Sequence, residues 1–297
     1  MNIIGKKYFY FAVSLLIIIP GIISMILWGL HLSIDFVGGS RMEVQSSKFK
    51  VQSSEISAAI KNQGAEISSV QKSGEDIYII RTKVLDQKTH QKLRTAIEQK
   101  FPGSKEVSFQ TIGPTIGNET TLNAIKGVLI ASVLIVLFIA WSFRKVPKPA
   151  NSFRFGICAI VALIHDVLVV VGVFSLLGHF WGVEIDSLFV TALLTIIGFS
   201  VHDTIVVFDR IRENLRRMPG ASFSTVVNES ILQTLTRSIN TSLTVLLVLF
   251  TMLLFGGESV RWFIVALFVG IASGTYSSIF NAAPLLVVWE EWSRKNS

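Results

Sequence analysis

The chain has 297 residues, of which 51% are hydrophobic and only 16% are charged, and its formal net charge is +7. So few charged residues exclude an ordinary soluble domain of this length, since soluble domains carry about 25%. The single cysteine, Cys158, excludes an internal disulfide framework and a cysteine-rich metal site. The basic residues gather at the ends of apolar runs, which is typical of membrane proteins and does not indicate nucleic-acid binding.

Several apolar runs reach the roughly 20 residues that a helix needs to cross a bilayer. We therefore predict a polytopic α-helical membrane protein whose six spans lie at about 8–30, 122–143, 153–177, 185–208, 237–255 and 261–289. The first run resembles a secretory signal, but its apolar core is longer and no small-residue cleavage pattern follows. We interpret it as an uncleaved anchor, kinked at Pro20-Gly21.

The basic flanks predict which way the spans are oriented. Four groups fall on one side of a six-span chain: Lys6 and Lys7; Arg144, Lys145, Lys148 and Arg154; Arg210, Arg212, Arg216 and Arg217; and Arg294 and Lys295. The short loops on the opposite side are poor in basic residues. The positive-inside rule then predicts that both termini of this multi-pass protein lie in the cytoplasm.

A polar stretch over residues 33–121 separates the first span (1–32) from the five-helix region (122–297) and is long enough for a small domain. Alternating strand patterns begin near Met42, 66–71, 76–82 and 107–111. Helical spacing is expected after Ser53 or Ser54, ending at Gly64, and again over Leu93, Ile97 and Phe101. The order β-α-β-β-α-β predicts a ferredoxin-like α+β domain, which the orientation places outside the cytoplasm.

The cytoplasmic segment 218–236 has helical spacing after the Pro219-Gly220 break. Two interpretations remain open: an amphipathic helix lying along the membrane surface, or an ordinary connecting helix.

The fourth apolar run contains His202 and Asp203, and Asp203 lies six residues before Asp209, about two turns inside the cytoplasmic border. An acid there costs about 3 kcal/mol on insertion scales and usually marks an ion or proton path. Arg237 opens the antiparallel fifth span, and Asn240, Thr241 and Thr244 share its helical face. We expect Asp203 and Arg237 to meet, either as a fixed structural pair or as a proton site tuned by the arginine.

The third apolar run repeats the feature with His165 and Asp166 near its centre. Two His-Asp pairs in neighbouring spans predict a polar core, in which Asp166 is either structural or functional. Two aspartates in spans also imitate an intramembrane aspartyl protease, which stays a rival interpretation. The sequence has no Walker loop, no HExxH helix and no G-x-S-x-G elbow.

Four stretches together resemble the SecF family of protein-export membrane subunits, which belongs with the resistance-nodulation-division transporters. They are "IDFVGGSRMEV" (34–44), "LIHDV" (163–167), "IGFSVHDTIVVFDRIRENLRR" (197–217) and "TLTRSINTSLTVLLVLFTMLLFGG" (234–257). The resemblance extends over nearly the whole chain, and the fourth-span stretch is the most distinctive. Where the family motif usually opens with glycine, this chain has Ser33. Asp35, Gly38 and Gly39 form the structural motif of the first stretch.

The resemblance implies an accessory subunit of the Sec protein translocase that uses the proton-motive force to promote late steps of protein export. It implies SecD, the SecYEG translocon, YajC, YidC and the translocating preprotein as partners, in a lipid membrane and without nucleic acid. By position, Asp203 resembles the family's essential fourth-span acid, and Arg237 and Thr241 resemble its fifth-span partners. The resemblance also implies a protein of the cytoplasmic (inner) membrane that is not an enzyme and that uses a proton gradient without a cofactor.

Two further alternatives differ in class. A proton-driven efflux half-transporter shares the spans but usually carries a far larger outer domain. A passive assembly factor would work equally well without a proton gradient.

Overall fold

The computed structural model describes residues 1–46, 56, 60, 65–73, 76–144 and 151–296. These residues form two compact units. The first comprises 1–31, 126–183 and 188–297, and the second comprises 32–125 and 184–187. The predicted boundary at residue 121 therefore lies four residues before the end of the second unit, and no sequence pattern indicated that residues 184–187 belong to it.

Within the described residues, six helices are long and apolar enough to cross a membrane, as predicted. They comprise α1 (Lys7–Trp28, after a short 3-10 turn), α4 (Pro114–Ser142), α5 (Ser152–Trp181), α6 (Ser187–Arg217), α7 (Phe223–Phe255) and a last span made of three consecutive segments. Those segments are α8 (Arg261–Ser277), a π-helical segment (Ser278–Ala282) and α9 (Ala283–Lys295). The helix α1 continues through Pro20.

Two helices are longer than the predicted spans, because each begins in polar sequence before its apolar run. The helix α4 begins at Pro114, well before the apolar run, since proline suits the first helical turn and the polar residues after it are compatible with a helix. The predicted surface helix within 218–236 is wrong as a separate element: Phe223–Phe255 is one helix of 33 residues. It contains neither glycine nor proline, and Ser222 caps its N-terminus by accepting a hydrogen bond from the Thr225 amide.

Small residues let the spans pack closely. The backbones of α1 and α5 touch at Gly21 and Gly172, and a Cβ built on Gly172 would lie 2.7 Å from the Gly21 Cα. On α8, Gly274 faces Ser200 of α6, where an added Cβ would lie 3.0 Å from the serine Cβ. Around these crossings a buried apolar core includes Phe143, Phe155, Phe208, Val227, Ile231 and Leu286.

The second unit contains the predicted α+β domain. Its four strands are β1 (Gly39–Ser46), β2 (Ile67–Ser73), β3 (Ile77–Thr82) and β4 (Ser104–Ile112), in the antiparallel order β2-β3-β1-β4. This order is that of a split, ferredoxin-like sheet. Its core side chains include Met42, Val44, Tyr78, Ile80, Leu93 and Ile97.

The helices of this unit include α2 (Ile34–Val37) and α3 (Gln87–Lys100), whose N-terminus is capped by Asp86. The helix predicted between Ser53 and Gly64 lies largely outside the described residues. Its two described positions, Ile56 and Ile60, are helical and buried in the domain core.

Candidate functional site

Asp203 is buried in the membrane-spanning unit on the side of α6 that faces other helices, and only 2% of its surface is exposed. Ser242 of α7 donates a hydrogen bond to Asp203 Oδ2 across 3.5 Å, which is long for a hydroxyl donor. Ser242 in turn shares a hydrogen bond of 2.5 Å with Thr275 of α8. The carboxyl group therefore lies against the hydroxyls of Ser242 and Thr275, and its hydrogen bond with Ser242 is a long one.

Asp166 is fully buried and is bound much more tightly. Ser200 of α6 and Ser277 of α8 donate to Oδ2 at 2.5 and 2.7 Å, and Ser273 of α8 donates to Oδ1 at 2.9 Å. The Nδ1 atom of His165 lies 3.0 Å from Oδ1. One carboxyl group therefore joins α5, α6 and α8 through four hydrogen-bonding neighbours.

A break in helical regularity lies next to both acids. Ser278 opens the π-helical segment, shares a hydrogen bond of 2.8 Å with Thr204 of α6, and donates to the Ser200 carbonyl at 3.2 Å. Pro284, which has no amide hydrogen, follows the segment. Such π-bulges frequently occur at functional sites, where the extra residue shifts the register of the side chains.

The predicted contact between Asp203 and Arg237 is not formed. No ion pair within residues 151–296 joins the two, and the Arg237 side chain is exposed on the surface of the chain. In this part of α7 the buried positions are Ser238 and Ser242. They lie about 100° around the helix axis from Arg237 and Thr241, because each residue turns a helix by that angle.

Polar residues form an exposed stripe on each of two helices. On α6 the exposed positions Thr191, Thr195, Gly198 and His202 share one face. On α7 the exposed face carries Arg237, Asn240, Thr241 and Thr244. The site residues predicted from the sequence therefore separate into a buried pair, Asp166 and Asp203, and a surface group, His202, Arg237, Asn240 and Thr241.

Sequence reasoning missed the hydroxyl residues around the two acids: Ser200, Ser242, Ser273, Thr275 and Ser277. A weak signal existed, because Ser273 and Ser277 are four residues apart on the helix that carries the small residues Gly270 and Gly274.

The glycine pair of the first motif lies in the second unit at a tight backbone crossing. Gly38 has φ 74° and Gly39 has φ 126°, conformations that residues with a Cβ rarely adopt. A Cβ on Gly38 would lie 3.0 Å from Pro114 Cα, and one on Gly39 would lie 2.8 Å from the Thr82 carbonyl oxygen. The motif thus packs against the start of α4 and the end of β3, where a side chain has no room.

Ser33, the departure from the usual motif, fits without strain. Its φ of −75° suits any residue, and its hydroxyl accepts a hydrogen bond of 3.2 Å from the Asp35 amide. Serine therefore serves as the N-cap of α2 at a position where glycine would lack a cap.

Comparison with known proteins gives matches over the whole chain. A family model described as "Protein export membrane protein SecD/SecF, C-terminal" matches residues 92–292, and one described as "SecD/SecF GG Motif" matches residues 28–48. The protein translocase subunit SecF of Thermobaculum terrenum is 47% identical, with 98% of this chain and 94% of that protein covered. The SecF subunit of Anaerolinea thermophila is 46% identical, with 98% and 96% covered.

Longer proteins match over part of their length. The protein translocase subunit SecDF of Bacillus subtilis is 36% identical over 96% of this chain and 38% of its own. The crystal structure of SecDF, a translocon-associated membrane protein from Thermus thermophilus, superposes with a TM-score of 0.86 at 33% identity. That match covers 98% of this chain and 39% of the SecDF chain.

Within the described residues, six apolar helices long enough to cross a membrane, two buried acids and a small ferredoxin-like domain define a polytopic membrane protein. The family matches and the relatives make the assignment specific: this chain belongs to the SecD/SecF family of protein-export membrane proteins.

Proposed function

We propose that the chain is an accessory subunit of Sec protein export that works with SecD and draws on the proton-motive force to promote late steps of export. The relatives named protein translocase subunit SecF support the export role, because they match along nearly their whole length. SecD is the proposed partner because the matching region of the Bacillus subtilis and Thermus proteins is part of a chain named SecDF.

The observation that carries the proton-coupled part is the contrast between the two buried acids. Asp166 receives three short hydrogen bonds from serines, whereas the hydrogen bond from Ser242 to Asp203 is 3.5 Å long and only Thr275 lies beside it. A buried carboxylate with few donors is costly when ionised, so its proton is the one that a changing environment exchanges. We assign the exchangeable proton to Asp203 and a supporting role in the same polar core to Asp166.

The exposed stripes support a covering partner. The exposed threonine hydroxyls on these faces donate to carbonyls of their own helix, but the guanidinium of Arg237 is expensive against lipid, since hydrocarbon does not solvate a charge. SecD lying against these faces would enclose His202, Arg237, Asn240 and Thr241 in a polar interface beside Asp203. Approach of Arg237 to Asp203 during the cycle would then favour proton release, since a positive charge stabilises the carboxylate.

The remaining assignments complete the proposal. The chain is a multi-pass protein of the cytoplasmic (inner) membrane with both termini in the cytoplasm, and it has no enzymatic activity of its own. Its further partners are the SecYEG translocon, YajC and YidC, and the translocating preprotein. The energy source is the proton gradient, with no cofactor. One proton crossing 100 mV releases about 2.3 kcal/mol, enough to bias a two-state domain.

The test is precursor import into inverted membrane vesicles with and without a proton gradient. The Asp203→Asn variant keeps the shape of the side chain and removes its titration. It is expected to lose the gradient-dependent increment while still assembling with SecD. The matched control is Asp209→Asn on the same helix, whose carboxylate is exposed and paired with Arg212, and it should respond as the parent does. A full gradient response by Asp203→Asn vesicles with normal amounts of the complex would refute the proton role.

A further inference from the structure

Residues 184–187 connect α5 to α6 but are structurally part of the outer α+β unit. The helix α5 ends at Gly182 in a left-handed turn with φ 65°. The chain then forms a parallel bridge to the segment before α2, where Ile185 pairs with Leu32 and the Ser33 amide donates to the Ile185 carbonyl at 2.9 Å. This connection is therefore hydrogen-bonded to the segment that directly precedes α2.

Asp35 of that motif caps the N-terminus of α6. Its Oδ2 atom accepts hydrogen bonds from the Ser187 amide at 2.9 Å and the Ser187 hydroxyl at 2.8 Å. Ser187 is the first residue of α6, where amide groups have no partner within the helix and the helix dipole is positive. A carboxylate supplied from residues 34–37 thus completes a helix that begins about 150 residues later in the chain.

An ion pair holds the other end of the connection. Arg81 on β3 pairs with Glu184, and their side chains are only 12% and 13% exposed. Arg41 lies opposite Arg81 in the sheet register. Burial, and secondly the charge of Arg41, lowers the pKa of Arg81 to about 10. Glu184 supplies the negative charge that this crowded guanidinium needs.

The chain leaves this connection through a glycine turn on the α5 side and through a continuous helix on the α6 side. On the α5 side the chain passes through Gly182, and α1 likewise ends at Gly29 with φ 68°. On the α6 side the chain passes from Ser187 to Leu188 inside an unbroken helix. Asp203 lies on that same helix, 16 residues further along, or about 24 Å.

We propose that the connection Glu184–Ser187, held by Asp35 and Arg81, transmits displacement of α6 to the outer domain. Asp35, Arg81 and Glu184 are then positioning residues for the proton-coupled step. The inference rests on the proposed function, because it needs a proton-dependent displacement of the helix that carries Asp203. It gives Asp35 the role of coupling α6 to the α+β domain.

The first experiment uses import into inverted vesicles containing the complete complex. Asp35→Ala and Glu184→Gln should each lose most of the gradient-dependent increment while gradient-independent import stays at the parental level. The control is Lys83→Gln, which breaks an exposed ion pair with Glu66 beside the same strand and should leave both components unchanged. The exchange Arg81→Glu with Glu184→Arg should restore part of the increment that Glu184→Gln loses.

A second experiment keeps the comparison within one preparation. The double variant carries Asp35→Cys and Ser187→Cys. Its gradient-dependent increment of import should be lost under reducing conditions and should return when an oxidant forms the disulfide bond between the two positions. An increment that does not depend on the redox state overturns the coupling role. Asp203→Asn is measured in parallel. If it loses the increment while the Asp35 and Glu184 variants keep it, only the coupling inference fails. If it keeps the increment, the proposed function itself fails.

Discussion

At Gly21 and Gly172 the backbones of α1 and α5 approach so closely that neither position has room for a side chain. A Cβ on Gly21 would lie 2.9 Å from the Gly172 Cα, and the reverse distance is 2.7 Å. Because the neighbour in each case is backbone, no side-chain rotation relieves the overlap. Just beyond this point Ser24 and Ser175 share a hydrogen bond of 2.7 Å, so small residues serve both the approach and the polar contact.

We predict that Gly172→Ala destabilises the protein by about 1–3 kcal/mol, the usual cost of overpacking a well-packed interface. The control is Gly156→Ala in the same helix, where an added Cβ meets nothing within 4 Å. There alanine should be neutral or stabilising by up to about 1 kcal/mol, since it forms helices better than glycine. Thermal unfolding in detergent measures both variants. Equal melting temperatures for the two would contradict the close approach.

Among the spanning elements, α5, α6 and α8 are joined at Asp166, which is their shared hydrogen-bond acceptor. Ser200 lies on α6, whereas Ser273 and Ser277 lie on successive turns of α8. The same helices carry the close contact of Gly274 with Ser200. A π-helical segment follows α8, and it shifts the side chains beyond it relative to those of α8. The three helices therefore form a packed frame, against which α7 contributes Ser242 beside Asp203.

We predict that Asp166→Asn destabilises this frame, because one amide oxygen replaces two carboxylate acceptors and at least one buried hydroxyl loses its partner. Each such loss costs about 1–3 kcal/mol. Ser273→Ala, which removes one donor and leaves the carboxylate with others, should cost less. The measurement is the melting temperature of the complex in detergent. A variant Asp166→Asn with parental stability and no gradient response would instead make Asp166 a proton carrier.

At the scale of the whole molecule, the number of spans decides on which side of the membrane each exposed residue lies. Lys92 is exposed on α3 of the α+β unit, and Arg216 is exposed at the end of α6. The positive-inside rule places the first outside the cytoplasm and the second within it. The only native cysteine, Cys158, is buried, so a thiol reagent is expected to label the added cysteines and not Cys158.

We predict that Lys92→Cys reacts with a membrane-impermeant maleimide in intact cells and that Arg216→Cys reacts only after permeabilisation. The readout is the mass shift of the labelled chain on a gel. Each variant serves as the control for the other, because both sites are exposed and differ only in the compartment expected for them. Labelling in the opposite pattern would reverse the topology and remove the basis for an extracytoplasmic domain.

The sequence alone determined the six spans and the βαββαβ domain. Both depend on local patterns: the length of an apolar run decides whether a helix crosses a bilayer, and periods of 2 and 3.6 distinguish strand from helix. Asp166 and Asp203 were also evident from the sequence, because a charged residue inside an apolar run is conspicuous. The resemblance to the export family likewise depended on contiguous stretches, and the family matches confirm it.

Only the tertiary structure decided which groups meet. The rotation of α7 about its axis turns Ser238 and Ser242 inward and Arg237 outward, and packing against neighbouring helices sets that rotation. The serines around Asp166 come from two other helices, and single serines in apolar runs carry almost no signal in the sequence. Residues 184–187 have the sequence of a short loop, yet Asp35 and Arg81 bind them to the α+β unit. Contacts between residues far apart in the chain depend on packing, which a local pattern does not encode.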